Sequence, residues 1–455
     1  MSNHELPEYL SQGEPPRLFS VLSDTSKEKR TMAAFLSCMA RVQILAEELL
    51  KSANQKIGKR CKIECYVEVV PSILPDDRNL RPDGMIVLRI GKREWKAIFE
   101  VKIGKNQLDK SQIEDYRNLA RANGIDCLIT ISNQFTTVPT SHPIESVRKS
   151  RSKIPVIHWS WMHVLTTVDL LISAEGNSNK DFIFLLNELR RFLAHESAGV
   201  RGFDQMPREW TELNKFISAG GDIATQPDEA QIILGAWHQE IRDLSLALSR
   251  MTATPVTIKL PRKHFLNTDL RFQSELANLC SKRQLAVALD IPGAAAPIDI
   301  VADLARRCVD IGMTLNAPRN KKTTKARVNW LLRQIKTSEL DNLHLRITWE
   351  NSKGFTQHSL LDIEKNNDLV DEFKLNSVPK NFHLFESNCL GIRFTQQRNF
   401  IKDLEQLVPD FYDKVGVHLT AWQRPAPKII ENKSEPSDVT PESISEEADS
   451  FAIDT

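Results

Sequence analysis

No Cys-x-x-Cys pair, no glycine-rich phosphate loop and no Ser-His-Asp signature occurs in these 455 residues. The seven cysteines (Cys38, Cys61, Cys65, Cys127, Cys280, Cys308 and Cys389) are odd in number and scattered. Cys61 and Cys65 lack a second pair at zinc-site spacing. Buried, unpaired thiols in a reducing compartment are the expectation. No apolar run approaches the roughly 18 residues of a membrane span. The N-terminal MSNHELPEYLSQGEPPR has no apolar core of the signal-peptide kind. A cytoplasmic protein without membrane contact is expected. An excess of one charge is also missing: 60 Lys and Arg stand against 59 Asp and Glu. That balance is uneven along the chain, because residues 428–455 hold two Lys and eight acids. The preceding 427 residues are left at +7, a mild basic balance compatible with phosphate contact.

The most informative stretch is residues 81–116, RPDGMIVLRIGKREWKAIFEVKIGKNQLDKSQIEDY. Two apolar, β-branched runs, 85–90 and 95–103, flank Gly91-Lys92, the pattern of an antiparallel hairpin. Strand alternation puts Glu100 and Lys102 on one side and Val101 in the core. Asp83 precedes the partner strand, so pairing brings its carboxylate toward Glu100. Two carboxylates and an ammonium at one edge suit a hydrolase using a hard divalent cation, which takes oxygen ligands and retains waters. In that chemistry Asp83, Glu100 and the Val101 carbonyl are the metal ligands, and Lys102 positions the attacking water. Taken alone, Glu-x-Lys on a strand is more often an ordinary ion pair.

Pro82-Asp83 followed by Glu100-Val101-Lys102 resembles the signature of the PD-(D/E)XK nuclease superfamily. Gln112 and Tyr116, at i and i+4 on one helix face, are similar to the Gln-x-x-x-Tyr motif of its RecB-like branches. The resemblance covers roughly residues 25–170. It implies a restriction-endonuclease-like core, a mixed central α/β sheet flanked by helices. It implies Asp83 and Glu100 as metal ligands, Lys102 as the catalytic lysine, and Gln112 and Tyr116 as supporting or DNA-contacting groups. It also implies Mg2+ (or Mn2+) as cofactor and DNA as substrate, in DNA processing or bacterial antiviral defence. An acid on the first helix completes the metal shell in many such nucleases, and Glu47 and Glu48 are the candidates, each as readily part of a solvated helix face. The alternative is a non-catalytic nucleic-acid-binding or regulatory protein that keeps the fold.

The remaining chain divides by composition. Residues 1–22 are polar, with three prolines, and read as a flexible arm. Residues 23–175 form the nuclease-like domain. It opens with one helix over about 26–55, on the apolar spacing of Met32, Phe35, Leu36, Met39, Val42, Leu45 and Leu49. Residues 62–70 alternate as its first strand, with Ile63, Cys65, Val67 and Val69 on one face. His142, His158 and His163 match no zinc spacing and are expected to pack or hydrogen-bond. Residues 176–230 read as a helical extension ending in the Gly- and Pro-containing linker 217–230. Residues 231–425 read as a second, α+β unit, with a helix over 297–311 and a strand over 390–394 among its elements. This unit is expected to recognise nucleic acid or a protein partner. Residues 426–455 are acidic, rich in Ser and Pro, and expected to be disordered. Two basic clusters are candidate nucleic-acid contacts: Arg148, Lys149 and Arg151, and Lys321, Lys322, Lys325 and Arg327. Either is as readily a solvated face.

Overall fold

In a computed structural model the described residues are 6–424, less 17, 19–26, 59, 75–79, 137–140, 175–178, 337–341, 351 and 372–376. The acidic tail lies outside them. No helix among the described residues is long and apolar enough to cross a membrane.

The first unit is a six-stranded mixed sheet whose spatial order follows the chain. Strands β1 (Leu10–Glu14), β2 (Lys62–Pro71), β3 (Gly84–Ile90) and β4 (Arg93–Val101) are antiparallel neighbours. Strands β5 (Cys127–Ser132) and β6 (Val156–Ser160) then add in parallel. The change of direction demands a crossover, supplied by α3 (Lys110–Ala122) between β4 and β5 and by the short α4 (Glu145–Arg148) before β6. Helices α1 (Lys27–Arg41), α2 (Gln43–Leu50), α5 (Trp161–Ser173) and α6 (Lys180–Ala194) cover the opposite face. There Phe35, Phe99, Trp159 and Trp161 interlock edge to face. Ile98, Ile113, Leu119 and Leu128 fill the α3 side. Gly84 lets α1 approach: a Cβ there would lie 2.5 Å from Leu36 Cδ1 and 3.1 Å from the Tyr66 carbonyl.

Several expectations change here. The N-terminal arm is partly a strand, β1, anchored by buried Leu10. The first helix is two, because Val42 leaves helical geometry at φ −102°, ψ 87°. Strand β2 does not keep one alternation, since Glu68 sits at φ 52°. That extra residue is a bulge: Cys65 stays in the α1 core while Val69 turns to the α3 side.

The second unit begins earlier than its composition suggests. Helix α7 (Arg208–Ser218) buries Trp210, Leu213 and Ile217 in the second core, together with Met206 and Ile223. The Trp210 indole donates to the Phe394 carbonyl at 2.7 Å. Residues 217–230 are therefore a packed corner between α7 and α8 (Pro227–Thr252), not a linker. Two short elements follow, β7 (Thr257–Ile258) and α9 (Arg262–Leu266), then α10 (Thr268–Lys282) and the strands β8 (Gln284–Asp290), β9 (Ile298–Asp303) and β10 (Cys308–Asn316). After α11 (Thr324–Leu332) come β11 (Leu343–Trp349), β12 (Phe355–Ser359), α12 (Leu360–Lys365), β13 (Pro379–Cys389) and α13 (Gln397–Lys414). The strands make a seven-stranded sheet in the order β12-β11-β13-β10-β9-β8-β7, with every neighbouring pair antiparallel.

The helix expected over 297–311 is the β9–β10 hairpin, because Ile298, Ile300 and Ala302 bury alternately against the helices. Residues 390–394 turn into a 3-10 helix instead of a strand. Cys308 and Cys389 lie opposite each other in the β10–β13 register, Cα atoms 4.1 Å apart, and form a disulfide, contrary to seven unpaired thiols. They stand 81 residues apart, and only the register brings them together.

The corner at 217–230 yields a fragment prediction. A chain starting at 231 lacks the buried Trp210 and its neighbours, a loss of roughly 3–5 kcal/mol for the indole alone. A chain of residues 205–424 is expected to unfold cooperatively in urea, whereas 231–424 shows no cooperative transition. Equal cooperativity in the two would place the boundary back at 230.

Candidate active site

The site is assembled where β3 begins and β4 ends. Glu100 and Ile98 point to the α3 side of β4, while Phe99 and Val101 fill the α1 core. Asp83 is held by its backbone and its carboxylate together. Its N–H donates to the Phe99 carbonyl at 3.0 Å, and its Oδ2 accepts from the Val101 N–H at 2.7 Å. Lys102 continues β4 past its last sheet residue. Its N–H donates to the Ile131 carbonyl at 2.8 Å, and its carbonyl accepts from the Trp161 indole at 3.1 Å. With the backbone pinned on both sides, the Lys102 ammonium donates to Glu100 Oε1 at 2.6 Å.

Glu100 is only 2% exposed. Burial drives its pKa upward, the Lys102 hydrogen bond opposes this, and the net shift is up. Burial also raises Asp83, and the nearby Glu100 charge raises it further against the Val101 N–H and Lys102. For Lys102, burial favours the neutral amine, but the Glu100 hydrogen bond and charge outweigh it and the ammonium is favoured. Two carboxylates with one ammonium thus share a largely dry edge.

Gln112 and Tyr116 also meet here. Gln112 Nε2 donates to the Tyr116 hydroxyl at 3.3 Å, and that hydroxyl donates to the Arg81 carbonyl at 3.0 Å. Burial, then the Glu100 charge, pushes the phenol above its ordinary range. The pair braces the segment carrying Pro82 and Asp83. Asp109 caps α3 by accepting from the Gln112 N–H, which fixes the start of the helix.

The helix acid at the site is neither Glu47 nor Glu48. Glu47 and Glu48 belong to α2, beyond the break at Val42, and Glu48 pairs with Lys51. Glu28, in the first turn of α1, accepts from the Ile103 N–H at 3.3 Å and from Asn106 Nδ2 at 2.8 Å. Its charge is felt by Asp83, Glu100 and Lys102. An acid at a helix N-terminus, where the dipole favours it, was the signal available in the sequence.

The histidines are internal. Thr130, opposite Glu100 in the β4–β5 register, meets His142 at 3.3 Å and His158 at 3.0 Å through its hydroxyl. Burial holds the two rings down, at about 3 and about 4. His163 is held at about 3 by the same cause.

Of the basic candidates, Arg148 and Lys149 line a cleft of about 900 Å3 between the two units. Arg148 faces Asp269 at 3.6 Å and Lys149 pairs with Glu145 at 2.6 Å. Arg151 is exposed. In the second cluster Lys322 is exposed and Lys321 half-buried. Lys325 pairs with Asp368 and Asp371. Arg327 departs from the expected phosphate contact: it is 5% exposed and donates to the Lys321 and Pro379 carbonyls. It is a strut inside the second unit.

Among the described residues, no three or more His, Cys, Asp and Glu side chains gather closely enough to hold a metal ion. A cation at this edge would take its protein ligands from Asp83, Glu100 and a backbone carbonyl. The donor set fits that role: the oxygens are hard, and burial has left the two carboxylates short of positive charge.

A stability prediction follows from Asp83. A carboxyl raised in the folded state keeps its proton while the unfolded one ionises. The fold therefore loses stability as pH rises above the ordinary carboxylate value of about 4. Without divalent ions, Asp83→Asn is expected to gain on the wild type by at least about 1 kcal/mol between about pH 4 and pH 8. Urea unfolding across that range measures it. A difference independent of pH would show that the site does not disfavour the Asp83 charge.

A scan against protein-family models, a search of curated proteins and a search of solved structures return no match to this chain, so the reading of the site rests on its own residues.

Proposed function

We propose that the chain is a Mg2+-dependent deoxyribonuclease with a restriction-endonuclease-like core of the PD-(D/E)XK type. The observation carrying this reading is the convergence of Asp83, Glu100 and Lys102 at one largely buried edge, with Glu28, Gln112 and Tyr116 around it. The strand order supports it too, since an antiparallel β2-β3-β4 meander is followed by a helical crossover to parallel β5.

Asp83, Glu100 and the Val101 carbonyl would hold the cation, which when bound offsets charge on a scissile phosphate and lowers the pKa of bound water. The chain's own residues then have distinct tasks. Lys102 turns from Glu100 to the attacking water and stabilises it as it loses a proton. Tyr116 and Gln112 hold the Asp83 segment in place, and Glu28 keeps the loop after β4 closed through Ile103 and Asn106. Arg148 and Lys149 in the interdomain cleft offer phosphate contacts for DNA on its way to the edge.

One observation favours the non-catalytic alternative. Lys102 and Glu100 already satisfy each other at 2.6 Å, the arrangement of a structural ion pair. Incubation with circular and linear DNA in magnesium, manganese and EDTA separates the two. Cleavage is expected in either metal and not in EDTA. Asp83→Ala, Glu100→Ala and Lys102→Ala are each expected to lower the rate at least about 100-fold, since a metal contributes several kcal/mol and 1.36 kcal/mol is tenfold. Undiminished cleavage by Asp83→Ala would remove the site assignment. DNA binding with no cleavage by the wild type would favour the regulatory reading.

A further inference from the structure

The seven-stranded sheet has one covered face and one open face. Helices α7, α8, α10, α11, α12 and α13 bury their apolar side chains against the face carrying Leu285, Ile300, Ile311, Leu345 and Leu384. Alternation sends His344, Arg346 and Thr348 of β11 to the other side, with His383 and Phe385 of β13 beside them. Gly312 of β10 stands opposite Phe385, and a Cβ there would come within 2.6 Å of the Phe385 Cβ. Glycine at this point makes room for the ring at the centre of the face.

The groups on this face are planar and arranged as surfaces. The Arg346 guanidinium lies 4.7 Å from the Phe355 ring and 5.2 Å from the Phe385 ring. Gln357 fixes its orientation, accepting from Nε and Nη2 at 3.2 and 3.0 Å. The His383 imidazole stacks on Phe385 at 5.2 Å with 21° between planes, and His344 tilts against the same ring at 5.5 Å. Phe355, at the β12 edge, is 57% exposed. A groove of about 520 Å3 runs from Arg346 and His383 over the small residues Ala286, Ala288 and Thr314 to Lys259 and His264. His264 Nε2 and Asn381 Oδ1, both in its lining, have no hydrogen-bond partner among the described residues.

The charge around the groove favours an anion. Lys259 and Arg346 line it, and Arg262 and Lys263 stand exposed on α9 beside Phe265, itself 64% exposed. The acids of the lining are Asp299 and Glu275, and Glu275 is occupied by Arg271 and His238. Unpaired bases have free π-faces that stack on aromatic rings and guanidinium planes, while their phosphates follow cations. A duplex keeps those faces covered.

We propose that this open face binds single-stranded DNA, with bases stacked on Phe355, Arg346 and the imidazoles of His344 and His383 and the backbone led past Lys259, Arg262 and Lys263. That the ligand is single-stranded nucleic acid rests on the face alone. That it is DNA rests on the deoxyribonuclease reading above.

The test is fluorescence anisotropy of a labelled oligothymidylate with the full chain in EDTA, so that binding is read without cleavage. Oligouridylate and a DNA duplex serve as competitors. Binding is expected in the wild type, with the duplex competing weakly. Arg346→Gln and Phe355→Ala are each expected to weaken it about tenfold, the scale of one lost stacking contact. Lys259→Ala is expected to reduce the salt dependence by about one ion. Urea midpoints equal to wild type establish that the variants fold. No binding by the wild type, unchanged affinity in the Arg346→Gln/Phe355→Ala double variant, or equal competition by the duplex would each overturn the proposal. Tighter binding of oligouridylate would overturn the assignment to DNA. Binding retained in a chain that cleaves nothing would leave this face standing while the nuclease reading falls.

Discussion

A buried carboxylate beside a half-buried one constrains everything around the pair. Asp83 and Glu100 lie where water is scarce: burial pushes both toward the neutral form, and the Glu100 charge pushes Asp83 further. Such a pair persists only if the protein supplies positive charge, oriented donors or both. Here Lys102 supplies the charge and the Val101 N–H a donor. Each of these groups is fixed from elsewhere in the fold. Asp83 depends on the β3–β4 pairing, Lys102 on the parallel addition of β5 and on Trp161, and Tyr116 on the start of α3. A shift of any one element would leave a buried charge without its partner.

The two units meet through a second set of buried ions. Asp243 on α8 accepts from the Phe203 N–H at 2.6 Å, and Gly202 is required there because a Cβ would come within 2.4 Å of the same carboxylate. Arg250, further along α8, donates to Thr166 of α5 at 2.8 Å. Glu240 is fully buried, with neither carboxylate oxygen bonded among the described residues, and burial raises its pKa well above the usual range. Burial likewise holds Asp243 up at about 6 and Glu405 at about 7. Helix α8 therefore belongs to the second core by its apolar side chains and ties to the first unit through its polar ones. This explains why the chain between 195 and 206 crosses without a long linker.

The division of labour between the two sheets follows from how each is covered. The first is enclosed by helices on both faces, as parallel strands require, and its chemistry is confined to the strand ends. The second is antiparallel and covered on one face, so its other face can carry Arg346, His344, His383 and Phe355 as a surface. Under the two proposals, a site of converging points and a site of planes meet a nucleic acid in different ways. One suits a single phosphate, the other a run of bases.

What was legible in the sequence was local. The hairpin turn at Gly91-Lys92, the phase of Glu100 and Lys102, and the i, i+4 pairing of Gln112 with Tyr116 depend on neighbours a few residues away. Backbone geometry and side-chain period determine such relations almost alone. What only the tertiary structure decided was long-range or turned on one departure from regularity. The kink at Val42 removed Glu47 and Glu48 from the reckoning, and Glu28 reached the site through Ile103 and Asn106, some 75 residues away. The bulge at Glu68 reversed the faces of β2, Trp210 drew α7 into the second core, and the β10–β13 register joined Cys308 to Cys389. Arg327 looked like a phosphate contact until the carbonyls of Lys321 and Pro379 enclosed it. Composition and period carry no record of which distant backbone group a side chain will find, because that is settled by how whole elements pack.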